Sequence, residues 1–295
     1  MVLTLSARTK WALAAAAAAS VVLIVAAVAI ALHAEQRRLL VGTITVGIRD
    51  PSTDDGAPVK PGIMDRALRD FLVARLGVKL NPKPVFVTAA DRESKLVSGA
   101  VQLIISTYSI TADRERQVAF VGPYMQTRQA IAVPESSRLT TFAQARTQVI
   151  CTAWGSNTEQ KSPSGSPSPV EEREFPACFD RVRRAPKAPG SPVGVFSDRI
   201  VLERHLPDDF KLLLADDSQG ATSYYGVGMP RGYPEECERV FELVKEWVGG
   251  RTWDRTFAQA FPTLDASQYR PDPGYLRIPS SPEDSGYSCR SSRRP

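Results

Sequence analysis

Histidine is almost missing from this chain: His33 and His205 are its only two. A zinc site takes three or four nitrogen and sulfur ligands. The four cysteines, at 151, 178, 237 and 289, include no C-x-x-C pair, so neither a metal nor another cofactor is expected. No internal repeat is visible. The formal charge is +5, yet the basic residues are scattered, several of them in Pro- and Ser-rich stretches. A basic groove interleaved with aromatics is lacking, which removes nucleic acid from the expected partners. Mild basicity of this kind suits solubility and attraction to an anionic surface.

Charge itself is missing from Trp11 to Leu32, a run of Ala, Val, Leu and Ile with one Ser, flanked by Arg8 and Lys10 before it and Arg37 and Arg38 after it. A helix needs about 20 such residues to span a bilayer, whereas a cleaved signal has an apolar core of roughly 7 to 15 and small residues before the cut. Leu32 would stand three positions before a cut after Ala34, a poor cleavage site. Residues 1–38 therefore read as an uncleaved signal anchor, with the rest of the chain outside the cytoplasm. No cysteine precedes Cys151, so a lipid-modified N-terminal Cys is excluded. An even cysteine count beyond an export signal reads as disulfides. Pairing Cys151 with Cys178 would close a loop worth about 3 kcal/mol in the chain-entropy model. Cys237 with Cys289 would then tie the C-terminal tail to the body, buried free thiols being the alternative for that pair.

With 43% hydrophobic residues, the chain can fill one large core or two medium ones. Its pattern predicts a strand at Thr43–Ile48, a helix at Met64–Leu76, a strand at Pro84–Val87, a helix at Ala90–Ser98 capped by Gly99, and a strand at Val101–Ile105. That alternation predicts a parallel sheet with crossover helices. A second unit begins near Arg128. It carries strands at Ala130–Val133, Gln148–Thr152, Gly194–Phe196 and Phe210–Leu214, helices at Thr141–Ala145 and Arg199–His205, and some helix within Glu171–Phe179. Lys161–Pro169 reads as a mobile loop and Arg181–Lys187 as a solvated surface loop. The chain then returns through a strand at Tyr225–Met229 and helices at Pro234–Val248 and Thr252–Phe261. From Ser280 onward Pro, Ser and Arg dominate, and disorder is expected except where Cys289 is tethered.

The stretch Gly99–Tyr124 concentrates the chemistry. Its strand ends in Thr107, Ser109 and Thr111, and Arg114 follows on a helical turn. Strand ends in open α/β sheets are where ligands bind. A guanidinium framed by hydroxyls is a carboxylate receptor, because it offers two parallel charge-assisted hydrogen bonds. Thr111 also stands where it would cap the turn.

The run DRESKLVSGAVQLIISTYSITADRERQVAFVGPY, Asp91–Tyr124, resembles a segment of the extracytoplasmic amino-acid-binding proteins of ABC transporters, solute-binding protein family 3. GSN at Gly155–Asn157, Asp198 after a G-V-x strand, YGVGMPRG from Tyr225 and GRTWDRTF from Gly250 follow in the family's order. The resemblance covers about Thr43–Phe261 and implies a type II periplasmic-binding-protein fold, two α/β lobes joined by two hinge strands. It places lobe 1 at 41–124 and 228–262, lobe 2 at 128–224, and a tail at 263–295. It implies that an amino acid, weakly glutamate-like from the T-Y-S-I-T form, is captured between the lobes for import by an ABC permease. Arg114, Ser109 and the backbone around Thr107 would hold its α-carboxylate, joined by Ser156 and Asn157, and Asp198 would accept its ammonium. A zwitterion leaves water only if each charge meets an opposite one. Two departures stand out: RDPSTDDGAPVKPGIMDR lacks the family's aromatic before the first helix, and Gln102 replaces an Asp. The same fold would also serve a sensor without a permease, or a dehydratase, for which no acid or base beyond Asp198 is identifiable.

Overall fold

The computed structural model describes residues 38–50, 60–156, 167–186, 188–216, 222–278 and 286–290. The anchor segment, Asn157 and most of the Lys161–Pro169 loop lie outside them. Among the described residues no helix is long and apolar enough to cross a membrane. Residues 40–295 form one compact unit.

In chain order the elements are β1 (Thr43–Ile44), β2 (Val46–Ile48), α1 (Pro61–Leu76), β3 (Lys79–Leu80), β4 (Val85–Phe86), α2 (Arg92–Val97), β5 (Leu103–Ile105), α3 (Ala112–Glu115) and β6 (Ala119–Pro134). Then follow α4 (Phe142–Ala145), β7 (Cys151–Ala153), β8 (Val170–Glu172), α5 (Phe175–Arg184), β9 (Val195–Asp198), α6 (Arg199–His205), β10 (Phe210–Leu214), β11 (Thr222–Met229), α7 (Pro234–Gly249) and α8 (Arg251–Ala260). Most expected elements are found. The exception is Glu171–Lys187, where a short strand at β8 precedes a helix that runs on to Arg184. Phe179 and Val182 are buried along that helix, so the arginines ride on its outer face.

The sheet order is β4-β2-β5-β11-β6-β9-β7-β8, with β10 also beside β6. Its two flanks are parallel, as expected, since β2 pairs with β4 and β5, and β7 with β8 and β9. The middle, where the two groups join, is antiparallel. β6 explains it. Sixteen residues long, it pairs with β11 from Ala119 to Arg128 and with β9 and β10 from Gln129 onward. One strand thus serves both strand groups, and β11 runs back beside it.

Period-two burial builds the packing around this strand. Ala130 and Ala132 face Phe179, Leu202 and the Cys151–Cys178 disulfide, whereas Ile131 and Val133 face Phe142, Ile150 and Phe196. In the other group, Val101, Ile104, Tyr108 and Phe120 form a core with Leu96. Met64, Leu68, Leu72 and Leu76 are buried at helical spacing along α1, and Gly77 ends that helix with φ of 69°.

The described tail residues pack on the body, those at 286–290 around the expected tether at Cys289. Tyr269 packs on Phe257 and Phe261, and its carbonyl accepts from the Gln126 N–H at 2.9 Å. Tyr275 and Tyr287 lie on Tyr224 of β11. Ser288 Oγ both accepts from Gly122 N (3.0 Å) and donates to its carbonyl (2.8 Å). The Cys289 N–H donates to Phe120 O at 2.8 Å, and Cys289 is disulfide-bonded to Cys237.

Candidate functional site

Past β5 the chain turns sharply at Thr107, whose φ of 45° is uncommon for a β-branched residue. Its neighbours hold it there. The Thr107 N–H donates to Asp65 Oδ1 (3.3 Å) and to Tyr124 Oη (3.1 Å), and the Tyr124 hydroxyl donates to the same Asp65 oxygen at 2.6 Å. Arg49 Nη2 donates to Thr107 Oγ1 at 2.6 Å. Arg92 Nη1 reaches the Ser106 and Thr107 carbonyls at 3.1 and 3.3 Å. Burial, then the Asp65 carboxylate, pushes the Tyr124 hydroxyl well above its ordinary pKa.

Arg114 follows one turn later. Thr111 Oγ1 caps α3 by accepting from the Arg114 N–H at 3.3 Å. The buried guanidinium spreads its donors three ways: Nε faces Glu93 Oε1 at 3.0 Å, Nη1 donates to Ser109 O at 2.9 Å, and Nη2 donates to Gly155 O at 3.0 Å. It also shares the Tyr108 ring with Arg92, at 5.2 and 4.7 Å from the centroid. Desolvation first, and the nearby Arg114 charge second, lower the Arg92 pKa to about 10.

The second strand group supplies the opposite wall. Gly155 has φ of 69°, and a Cβ there would come within 2.8 to 3.0 Å of the Ala89–Ala90 backbone. Beside it, Ser156 Oγ and Thr152 Oγ1 are 2.8 Å apart. Asp198 ends β9 opposite Gln129 of β6. It precedes α6 but makes no side-chain cap. Instead its Oδ2 accepts from the Tyr225 hydroxyl at 2.6 Å, and its Oδ1 is buried without a hydrogen-bond partner among the described residues. Burial and the Asp198 charge push the Tyr225 hydroxyl up strongly.

Residues 64–263 match the bacterial extracellular solute-binding proteins, family 3. The chain belongs to this family. The glutamate-binding protein GluB of Corynebacterium glutamicum is similar at 26% identity, the match covering 58% of this chain and 59% of that protein. This solute-binding protein thus spans less than two thirds of the length of the curated relative. Among solved structures, the solute receptor for L-cysteine of Neisseria gonorrhoeae superposes with a TM-score of 0.63 at 18% identity, over 78% of this chain and 96% of that one. The ancestral amino-acid-binding protein AncCDT-1, a precursor of cyclohexadienyl dehydratase, gives 0.58 at 21% identity, over 75% and 96% of the two chains. The fold is therefore the type II periplasmic-binding-protein fold, two α/β lobes joined through β6 and β11.

In this solute-binding protein Ser109, Arg114 and Asp198, expected to act together, are joined by a continuous set of contacts, and Thr107 is held by Arg49, Asp65, Tyr124 and Arg92. Arg114 holds the Ser109 carbonyl, Ser109 bridges to Tyr225 across the strands, and Tyr225 holds Asp198. Ser156 lies next to the Gly155 that Arg114 touches, and Asn157 falls outside the described residues. Both expected disulfides are formed. Asp65, Arg49, Glu93, Tyr225 and Gln129 were not singled out from sequence. A polar residue at a core-facing position, as at Asp65 within the α1 stripe, is the signal that marks such groups. Among the described residues no cluster of three His, Cys, Asp or Glu is placed to hold a metal.

Proposed function

We propose that the protein captures an amino acid with an acidic side chain between the lobes at 41–124 with 228–262 and at 128–224, outside the cytoplasm, for import by an ABC permease. Asp198 carries the reading. A carboxylate 3% exposed, with one oxygen on Tyr225 and the other unpartnered, is an acceptor for an ammonium group. Arg114, buried at the facing strand end, suits the α-carboxylate, with Ser109, Thr107, Ser156 and Asn157 as its proposed partners.

The acidic preference rests on cations. Arg49 opens the loop that lacks the family's aromatic, its Nε is buried without a hydrogen-bond partner among the described residues, and its charge is felt at Arg92, Tyr225 and His205. A second carboxylate placed there would meet a guanidinium rather than a ring. The glutamate-binding name of the Corynebacterium relative points the same way. Membrane attachment through residues 1–38 is part of the proposal.

A thermal-shift screen of the full chain in detergent against the common amino acids tests it, since a ligand bound only by the folded state raises the melting temperature. Glutamate or aspartate is expected to give the largest shift. A flat response to every amino acid would overturn the proposal, and co-purification with a permease and ATPase tests its transport half.

A further inference from the structure

On β6, Val133 and Ile131 face the Phe142–Phe196 core, and strand alternation puts Gln129, two positions earlier, on the same sheet face. Across the ladder Ile131 is opposite Phe196 and Gln129 is opposite Asp198. The same sheet face therefore passes from an apolar pair to an amide beside a carboxylate. Gln129 is 3% exposed. Its backbone carbonyl accepts from the Ala215 N–H at 3.0 Å, but its side-chain Nε2 is buried with no acceptor among the described residues. Asp198 Oδ1, on the strand beside it, is a buried acceptor with no donor.

A buried donor without a partner destabilises a fold, and an apolar side chain of the same shape removes that penalty. Leucine would continue the row of Ile131 and Val133. An amide kept in this row, its Nε2 unpartnered among the described residues, is placed to donate to an acceptor on a bound ligand.

We propose that Gln129 is a ligand-contacting residue, whose Nε2 donates to an oxygen on the side chain of the amino acid held at Asp198. The site then selects ligands that carry a side-chain acceptor, the acidic and amide amino acids, over apolar ones of equal length. This deepens the amino-acid reading above and rests on it.

The test is Gln129→Leu in the full chain, with isothermal titration of glutamate, glutamine and norvaline and a melting curve of the free protein. Glutamate and glutamine affinity is expected to fall at least tenfold, norvaline affinity to change less than threefold, and the free protein to melt at the same or a higher temperature. Unchanged glutamate and glutamine affinity, an equal loss for all three ligands, or a lower melting temperature would overturn the proposal. Gln129→Met, unbranched and of similar length, serves if the leucine variant does not fold. Failure of the wild-type chain to bind any amino acid would strike the underlying reading instead, so the two failures are distinguishable.

Discussion

Arg114 reaches the other wall of the cleft, its Nη2 donating to the Gly155 carbonyl at 3.0 Å. The contact exists because Gly155 has no side chain and can lie against the Ala89–Ala90 backbone. Gly155→Ala adds a methyl that must displace main chain on the facing lobe and strains a positive φ. Ligand affinity is expected to drop at least tenfold by titration calorimetry while each lobe keeps its own core. Undiminished binding would show that this approach is not needed for closure.

Arg114→Ala removes the proposed receptor for the α-carboxylate and leaves Glu93 and two carbonyls without their cation. The expected loss is about 2 to 5 kcal/mol of binding free energy. Lysine restores the charge but not the fork, so Arg114→Lys is expected to recover only part of it. Calorimetry on both variants checks the order.

Tyr225→Phe takes away the hydrogen bond that the Asp198 carboxylate accepts from the Tyr225 hydroxyl. A buried carboxylate left without donors costs about 1 to 3 kcal/mol. Asp198→Asn is expected to abolish measurable amino-acid binding with a smaller stability loss. Chemical denaturation of the two variants separates holding the carboxylate from using it.

His205 makes stability depend on pH. Burial first, then the charges of Arg204 and Arg49, lower its pKa to about 4, and it stacks on Phe175. An unfolded histidine titrates near 6.5, so between those values the unfolded chain binds the extra proton. The contribution is complete above about pH 6.5 and is lost as pH falls towards 4, about 2 kcal/mol after allowance for partial exposure. Denaturation midpoints at stepped pH are expected to fall across this window, with a shallower slope for His205→Gln.

The disulfides span 27 and 52 residues. Replacing Cys237 and Cys289 together by Ser is expected to cost about 3 to 4 kcal/mol in the chain-entropy model. The effect is read as a lower melting temperature than wild type under non-reducing conditions, and reduced wild type is expected to approach the variant.

Elements were legible wherever burial had a clear period. The α1 stripe, the α7 face and the strand ending at Thr107 all stand out because apolar positions there recur at helix or strand spacing. Arg114 and Asp198 were legible as charges at strand ends. Their partners were not, because Tyr225, Glu93 and Gln129 reach the site through pairings between distant segments that no local pattern encodes. The centre was legible only as two hinge strands, and their antiparallel pairing was not, because β6 carries two pairing surfaces in one uninterrupted strand. The helical arginines of 181–184 were misread because charge masked the buried Phe179 and Val182 beneath them.

The end of the chain is wired into its middle. Gly122 and Tyr224 lie on the two strands that pass between the lobes, and Ser288 and Tyr287 sit directly on them. A rotation about those strands would be expected to displace residues 286–290 with it, a pointer geared to the angle between the lobes. A fluorophore beside Arg290 would report that angle without entering the cleft.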